Sequence, residues 1–351
     1  SGADVTGTGG TAKVGVGASI GVNVGVNTTV AEAGDNSEII NGKDFGLNAT
    51  ADHTLTTEVS GGAAGAKVAV TPLAAVTVAV NTTTARLGES PVEATLSGKF
   101  SSTADHKGSA TTTATGQTAG SSVAVGVSLG LTSAVDTVAA DVERDINATN
   151  GVEVNAKSTA KSSTTATASV SGGDKAKDDG SAPAPGGGSG SGETVDDKVA
   201  GQQNKATGAG KTTAAKAPAT TPAAGSSASD KLDTNKQTAP KGESSEGGVS
   251  VAAAVGVNIG VATTTARVGK GKRITSSAGA LKVSSANQTD SSAKADGSQV
   301  DSAKSTNVGV GAAVALNVGA ATTTAVVADE ADVSTQGLTI SATGVSGEKS
   351  D

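Results

Sequence analysis

Two Gly-x-Ser-x-Gly strings occur, Gly17-Ala18-Ser19-Ile20-Gly21 and Gly126-Val127-Ser128-Leu129-Gly130. In a nucleophile elbow this spacing lifts a serine hydroxyl from a strand-to-helix turn, beside a histidine and an acid. No helical pattern follows either string. Both serines also share one repeat position, at which other copies carry Leu73, Ala254 and Ala313, so they read as strand interior. The two histidines, His53 and His106, close matching Thr-Ala-Asp-His strings at 50–53 and 103–106. Adjacent copies of a repeat could bring them near each other, but two imidazoles without dedicated further ligands make a poor metal site. A solvated turn inherited from a duplication is the expectation.

Carboxylates suit calcium, and two groups are candidates: Asp329 and Glu330 with Asp332, and Asp141 with Glu143 and Asp145. Neither sits in an EF-hand loop or a Gly-Gly-x-Gly-x-Asp nonapeptide, so both read as solvated turns. Gly269-Lys270-Gly271-Lys272-Arg273 has the residues of a phosphate cradle but no helical pattern after it, and Glu143-Arg144-Asp145 stands at the same place in another copy. It reads as a charged turn. The sequence thus offers no catalytic, cofactor-binding or metal-binding residue and implies no cofactor.

Threonine triplets at 82–84, 263–265 and 322–324 could form ordered hydroxyl arrays of the kind an ice-binding solenoid presents. Copies recurring at about 55 residues argue against stacking on every coil, which leaves ice binding as an alternative. A polysaccharide-active β-helix is a further alternative, disfavoured because the chain has no Trp or Tyr to form sugar platforms.

The elements that hold these residues are repeats. Anchored on Ala31, Ala85, Ala140, Ala266 and Ala325, five copies align at spacings of 54, 55, 126 and 59 residues. Each copy has valine seventeen and fifteen residues before its anchor, as in Val14 and Val16 or Val249 and Val251. The alternation continues through Ile20, Ala74, Leu129, Val255 and Val314 and beyond. A period of two over such a length specifies strands.

The valines are expected to fill the core column, so that Val125→Asp or Val251→Asp breaks it. The residues between them are small (Gly15, Gly17, Ser19; Ala124, Gly126, Ser128), which implies that something approaches this second face closely. Downstream of the threonines the apolar parity shifts to the anchor alanine and to Ala33, Leu87, Val142, Val268 and Val327. That shift predicts a bulge or corner in each copy. A second apolar pattern follows, as in Phe45-Gly46-Leu47, Val152-Glu153-Val154, Leu281-Lys282-Val283 and Leu338-Thr339-Ile340, with Leu96 and Phe100 as candidates in the second copy.

Composition limits the core. Glycine makes up 49 of 351 residues, about twice the usual share of about 7%, with no Cys, Met, Trp or Tyr and two Phe. Thiol chemistry and disulfides are excluded. A net charge of −7 argues against nucleic acid and anionic membranes as partners, and no apolar run is long enough to span a bilayer. Ser1, in a chain without methionine, has the look of a processed or excised segment.

The resulting fold class is all-β: a β-solenoid, or parallel β-helix, of about five repeats of ~55 residues, each supplying two or three coils. An elongated antiparallel sandwich or roll shares the same periodicity and is the alternative. Residues 1–173 hold repeats one to three and 246–351 repeats four and five. Between them, 174–245 holds five of the seven prolines and balanced charge, the composition of a disordered insertion or linker.

The pattern of Val123-Ala124-Val125-Gly126-Val127-Ser128-Leu129 with Asp136-Thr137, and of 249–266, resembles the passenger repeats of large bacterial surface adhesins, of the filamentous-haemagglutinin-like and leukotoxin-like autotransporter kinds. The resemblance covers the chain outside its central segment. It implies a secreted, extracellular, right-handed β-helical segment at the bacterial surface, serving adhesion or biofilm. Host-cell, matrix or other bacterial surface components are the partners it implies. The small-residue faces add lateral self-association as an expectation, with no membrane insertion of this segment.

Overall fold

The computed structural model describes residues 2–8, 13–65, 67–120, 122–172, 249–299 and 308–351. Every strand pairing among them is parallel, which excludes the antiparallel sandwich. One long sheet, here the valine sheet, contains β2 (Val14–Val16), β3 (Ser19–Ala33), β5 (Val68–Leu87), β8 (Val123–Val142), β11 (Val249–Val268) and β14 (Val308–Val327). The second, the threonine sheet, orders β1 (Gly2–Thr8), β4 (Phe45–Gly65), β7 (Phe100–Gly120), β10 (Val152–Gly172), β13 (Leu281–Gln299) and β16 (Leu338–Ser350). A short third sheet of β6 (Ala94–Leu96), β9 (Ile146–Ala148), β12 (Arg273–Thr275) and β15 (Asp332–Ser334) closes one edge of each turn. The chain thus forms a parallel β-solenoid.

Each repeat makes one coil, not two or three. Val14 pairs with Val68, Val68 with Val123, Val123 with Val249 and Val249 with Val308, so equivalent residues lie directly above one another. The insertion expected over 174–245 lies outside the described residues; on either side of it β8 pairs with β11 and β10 with β13 in unbroken register. Strands of 20 residues are about 65 Å long, and five coils stack to about 24 Å. The stack is therefore a slab, longer along its strands than along the stacking axis.

Which face points inward reverses the sequence expectation. In β5 the buried positions are Ala69, Thr71, Leu73, Ala75, Thr77, Ala79, Asn81, Thr83, Ala85 and Leu87, in one unbroken alternation. The small and polar residues therefore form the interior and the valines point out. The close approach inferred from the small residues is real, since the other long sheet packs on that face. A Cβ on Gly256 would meet the Lys294 carbonyl oxygen at 2.6 Å, and one on Gly15 would run into the Ala64 carbonyl. No bulge accompanies the threonines, because the interior parity never changes. What changes is the width of the interior.

At the narrow end the interior is filled mostly by Gly, Ala, Ser and Thr, with Leu73, Val59 and Val170 among the larger side chains admitted. At the wide end, where the short sheet inserts, Leu87, Phe100, Val142, Ile146, Val152, Val154, Val268, Ile274 and Leu281 are fully buried in one cluster. Phe45 and Phe100 stack there with ring centroids 6.1 Å apart. Phe100, not Leu96, begins the long strand of the second coil in register with Phe45 and Val152. The first coil's strand breaks between Val16 and Ser19, beside Thr71 and Pro72 of the next coil. Pro72 has no N–H to donate to a ladder there.

Candidate interaction face

The valine sheet presents an outward surface that no other described element covers. Its rows run through Val22, Val76, Leu131, Val257 and Leu316, and through Val26, Val80, Val135, Val261 and Ala320, each residue in register with the next. On the outer coils these side chains are largely exposed: Val26 is 72% and Leu316 51% accessible. On the middle coils neighbouring valines shield one another, yet Leu129 remains 40% exposed. From Val14 to Val26, and over the matching stretches of the other coils, no outward position is charged.

Beyond the valines lie threonines, and here a second expectation changes. Because each repeat is a single coil, Thr28, Thr82, Thr137, Thr263 and Thr322 do stack as a continuous outward column. Thr84, Thr265 and Thr324 continue it two residues on, while the central Thr83 and Thr264 are buried. A charged row then closes the face. Arg86 pairs with Glu32 and lies 2.7 Å from Asp35, and Arg267 pairs with Glu143 and lies 3.3 Å from Asp141. Asp35 is held below the usual carboxylate range, first by the backbone N–H of Glu89 and then by the Arg86 guanidinium.

The acids considered for calcium fall into this row or beside it. Asp141 and Glu143 are occupied by Arg267, and Asp145 accepts the Arg273 backbone N–H at 2.8 Å. Glu330 pairs with Lys270 at 3.2 Å in an exposed turn. Among the described residues no group of three or more His, Cys, Asp or Glu gathers at metal-ligand distance. The string at 269–273 is a charged turn, with Gly271 at φ +69°. Its counterpart differs: Arg144 is wholly buried rather than solvated.

The two serines lie in the strand interior, as expected. Ser128 donates to the Thr167 carbonyl at 2.7 Å, and Ser19 is buried with no partner for its hydroxyl. The histidines do not lie in a solvated turn. Both point into the interior from the threonine sheet, their ring centroids 5.8 Å apart. Their matching strings are out of register, since His53 pairs with Gly108 and His106 with Ala51.

His106 is fully buried. An ionised carboxylate only accepts, so His106 Nε2–H donates to Asp136 Oδ1 at 3.0 Å. In the neutral ring Nδ1 then accepts the Thr83 hydroxyl at 3.1 Å. Acid, imidazole and hydroxyl stand in the order that nucleophilic catalysis uses, but all three are buried in the interior. Asn81 donates to the same Asp136 oxygen at 2.7 Å, and Asn27 to Asn81 at 2.8 Å, so the group extends across three coils.

A second interior ladder runs Thr57, Thr77, Thr112, Thr132, Thr164, crossing between the two sheets with hydroxyl contacts of 2.6 to 2.7 Å. Buried polar groups of this kind need partners, and stacking identical positions supplies them. In the sequence Asp136 stood out only as part of the repeat pattern with Thr137, and this ladder did not stand out. The signal available was the recurrence of Thr and Asn at positions between the valines, visible once those positions are taken as interior.

Comparison of the chain with protein-family models, with curated proteins and with solved structures found no match.

Proposed function

We propose that this chain is a non-enzymatic structural segment of a secreted bacterial surface adhesin or extracellular matrix fibre, acting in adhesion or biofilm formation. One observation supports this most: five repeats stack in register as single coils, an arrangement that extends by repetition and organises broad surfaces. Each coil adds about 4.8 Å to the stack while spending about 55 residues, so the design favours width over reach. Seven alternate positions per strand, Val68 to Val80 in β5, face the valine side. The mechanism is mechanical: a plate of coils paired in register holds two chemically different faces apart, valine-rich on one side and rich in Thr, Ser, Lys and Asp on the other. Host-cell, matrix or bacterial surface components are the partners in this reading.

Two measurements test it. Small-angle scattering should give a flat particle with a long dimension of about 65 Å, and a compact globule overturns the plate. Display of the chain on a non-adherent bacterium should increase attachment to host cells, matrix proteins or a like-displaying strain. No increase on any of these surfaces overturns the adhesive role.

The threonine column and the uncharged flatness of the valine sheet favour ice binding as a second reading, with the outward Thr and Val rows as the ice-contacting surface. Thermal hysteresis in a dilute solution of the chain tests it, and its absence removes this reading.

A further inference from the structure

We infer that the valine face is the docking surface for a second copy of this chain, packed sheet on sheet. The inference rests on reading the chain as a structural plate, and it names that plate's partner. The surface is large: five strands spaced about 4.8 Å, each contributing about 40 Å of valine-rich length, give about 1,000 Å². The largest apolar patch on an ordinary monomer is about 300–600 Å², and a stable interface takes about 800 Å² from each partner. One face therefore meets the whole requirement.

Chemistry favours a like partner. No charge interrupts the rows through Val76, Leu131 and Val257, so two copies meet without burying an unpaired ion. The charged row at the far end is already paired within each copy, Arg86 to Glu32 and Arg267 to Asp141 and Glu143, and needs nothing from the partner. Valine columns in strict register form straight ridges and grooves along the stack, and two such surfaces interdigitate at the roughly 10 Å separation of packed sheets.

The chain's own central segment is a poor occupant. Between residues 173 and 248 its large apolar residues are Val195, Val199 and Leu232, too few to cover the face. A net charge of −7 disfavours anionic lipid. Lateral association was expected through the small-residue faces, but those are interior, so the surface for it is the valine one.

The test uses the full chain and sedimentation velocity over a wide concentration range, with circular dichroism to confirm folding. Wild type should sediment at twice 33.0 kDa. The double variant Leu131→Lys, Val257→Lys, at the centre of the outward face, should keep its strand spectrum and become monomeric. Its dimer dissociation constant should rise about 100-fold or more, because each lysine would be buried unpaired. Thr159→Lys, on the outward side of the threonine sheet, should leave the dimer intact.

A wild-type monomer at all concentrations overturns the inference, as does a dimer that survives the double variant or is dispersed by Thr159→Lys. A monomer that floats with uncharged phosphatidylcholine vesicles assigns the face to lipid. One that shows thermal hysteresis assigns it to ice. Scattering separates the two levels: a flat monomer retains the plate and rejects the dimer, whereas a globule rejects the plate itself.

Discussion

Arg144 donates from Nη2 to the carbonyl oxygen of Gly34 at 3.0 Å, although the two lie two coils apart in the stack. On the way its Nε donates to Gly88 O at 2.6 Å, in the coil between. Nη2 also reaches Ser37 Oγ at 2.9 Å, and Nη1 donates to the Ser37 carbonyl. One side chain thus ties the loops of three successive coils. Burial lowers the affinity of its guanidinium for a proton, with Asp35 opposing and Arg86 reinforcing that shift, yet arginine remains charged at any ordinary pH.

Arg144→Ala should therefore destabilise the first coil selectively. It takes the arginine donors from the Gly88 and Ser37 carbonyls, while Gly34 O keeps the Ser37 hydroxyl, and losing hydrogen bonds to a buried charge costs about 2–4 kcal/mol. Arg144→Lys should recover little, because a point ammonium cannot reproduce a planar fork of donors. Hydrogen exchange checks this: amides of β3 and the loop at 34–37 should lose protection while those of β13 keep it. Uniform loss across the stack would refute the selective role.

The interior and exterior of the valine sheet make opposite predictions for two residues of β11. Val251→Asp, on the outward face, should leave the monomer folded, with a change of about 1 kcal/mol. Gly256→Ala places a methyl against the Lys294 backbone at 2.6 Å and should cost about 1–3 kcal/mol through overpacking. Thermal melts of both, read by circular dichroism, decide the assignment of faces. If Val251→Asp proves the more damaging, the valines are the core after all.

The contrast shows what could be read from sequence and what could not. Periodicity leaves parallel and antiparallel pairing open, but repeat boundaries and strand character follow from it, and the placement of Ser19 and Ser128 inside a strand follows from repeat position. The direction of each face does not. A valine column is ordinarily a core column, and nothing local to Val125 or Ala124 says otherwise. The decision belongs to the spacing between sheets: at Gly15 and Gly256 a carbonyl of the facing sheet leaves no volume for a side chain, so most of the bulky residues at this end lie outside. His106 was misplaced for a related reason, since its Thr-Ala-Asp-His string looks polar but alternates about a sheet. Its aspartate faces out, and its histidine finds Asp136 inside.

That buried group should behave as a unit. Asp136→Ala removes the acceptor of both Asn81 and His106 and should cost about 2–4 kcal/mol, the penalty for two stranded buried donors. His106→Ala should cost a similar amount. Because the two share one network, the double variant should cost less than the sum. A double-mutant cycle by denaturant unfolding measures the coupling, and strict additivity would show the contacts to be incidental.

Asp290 supplies a pH test with a definite sign. It is buried on β13 beside Lys161 of the neighbouring coil, and its Oδ2 has no hydrogen-bond partner. Burial raises its carboxyl above the ordinary range, an effect that Lys161 only partly offsets. Between the ordinary value and the raised one, the folded chain holds a proton that the unfolded chain releases. Stability therefore falls as pH climbs through that window. Asp290→Asn removes the titration while keeping the shape. The variant should match wild type near pH 3, below the ordinary carboxylate value of about 3.9, and melt at a higher temperature than wild type near pH 7. A stability difference that is the same at both pH values would mean that Asp290 does not bear this burial cost.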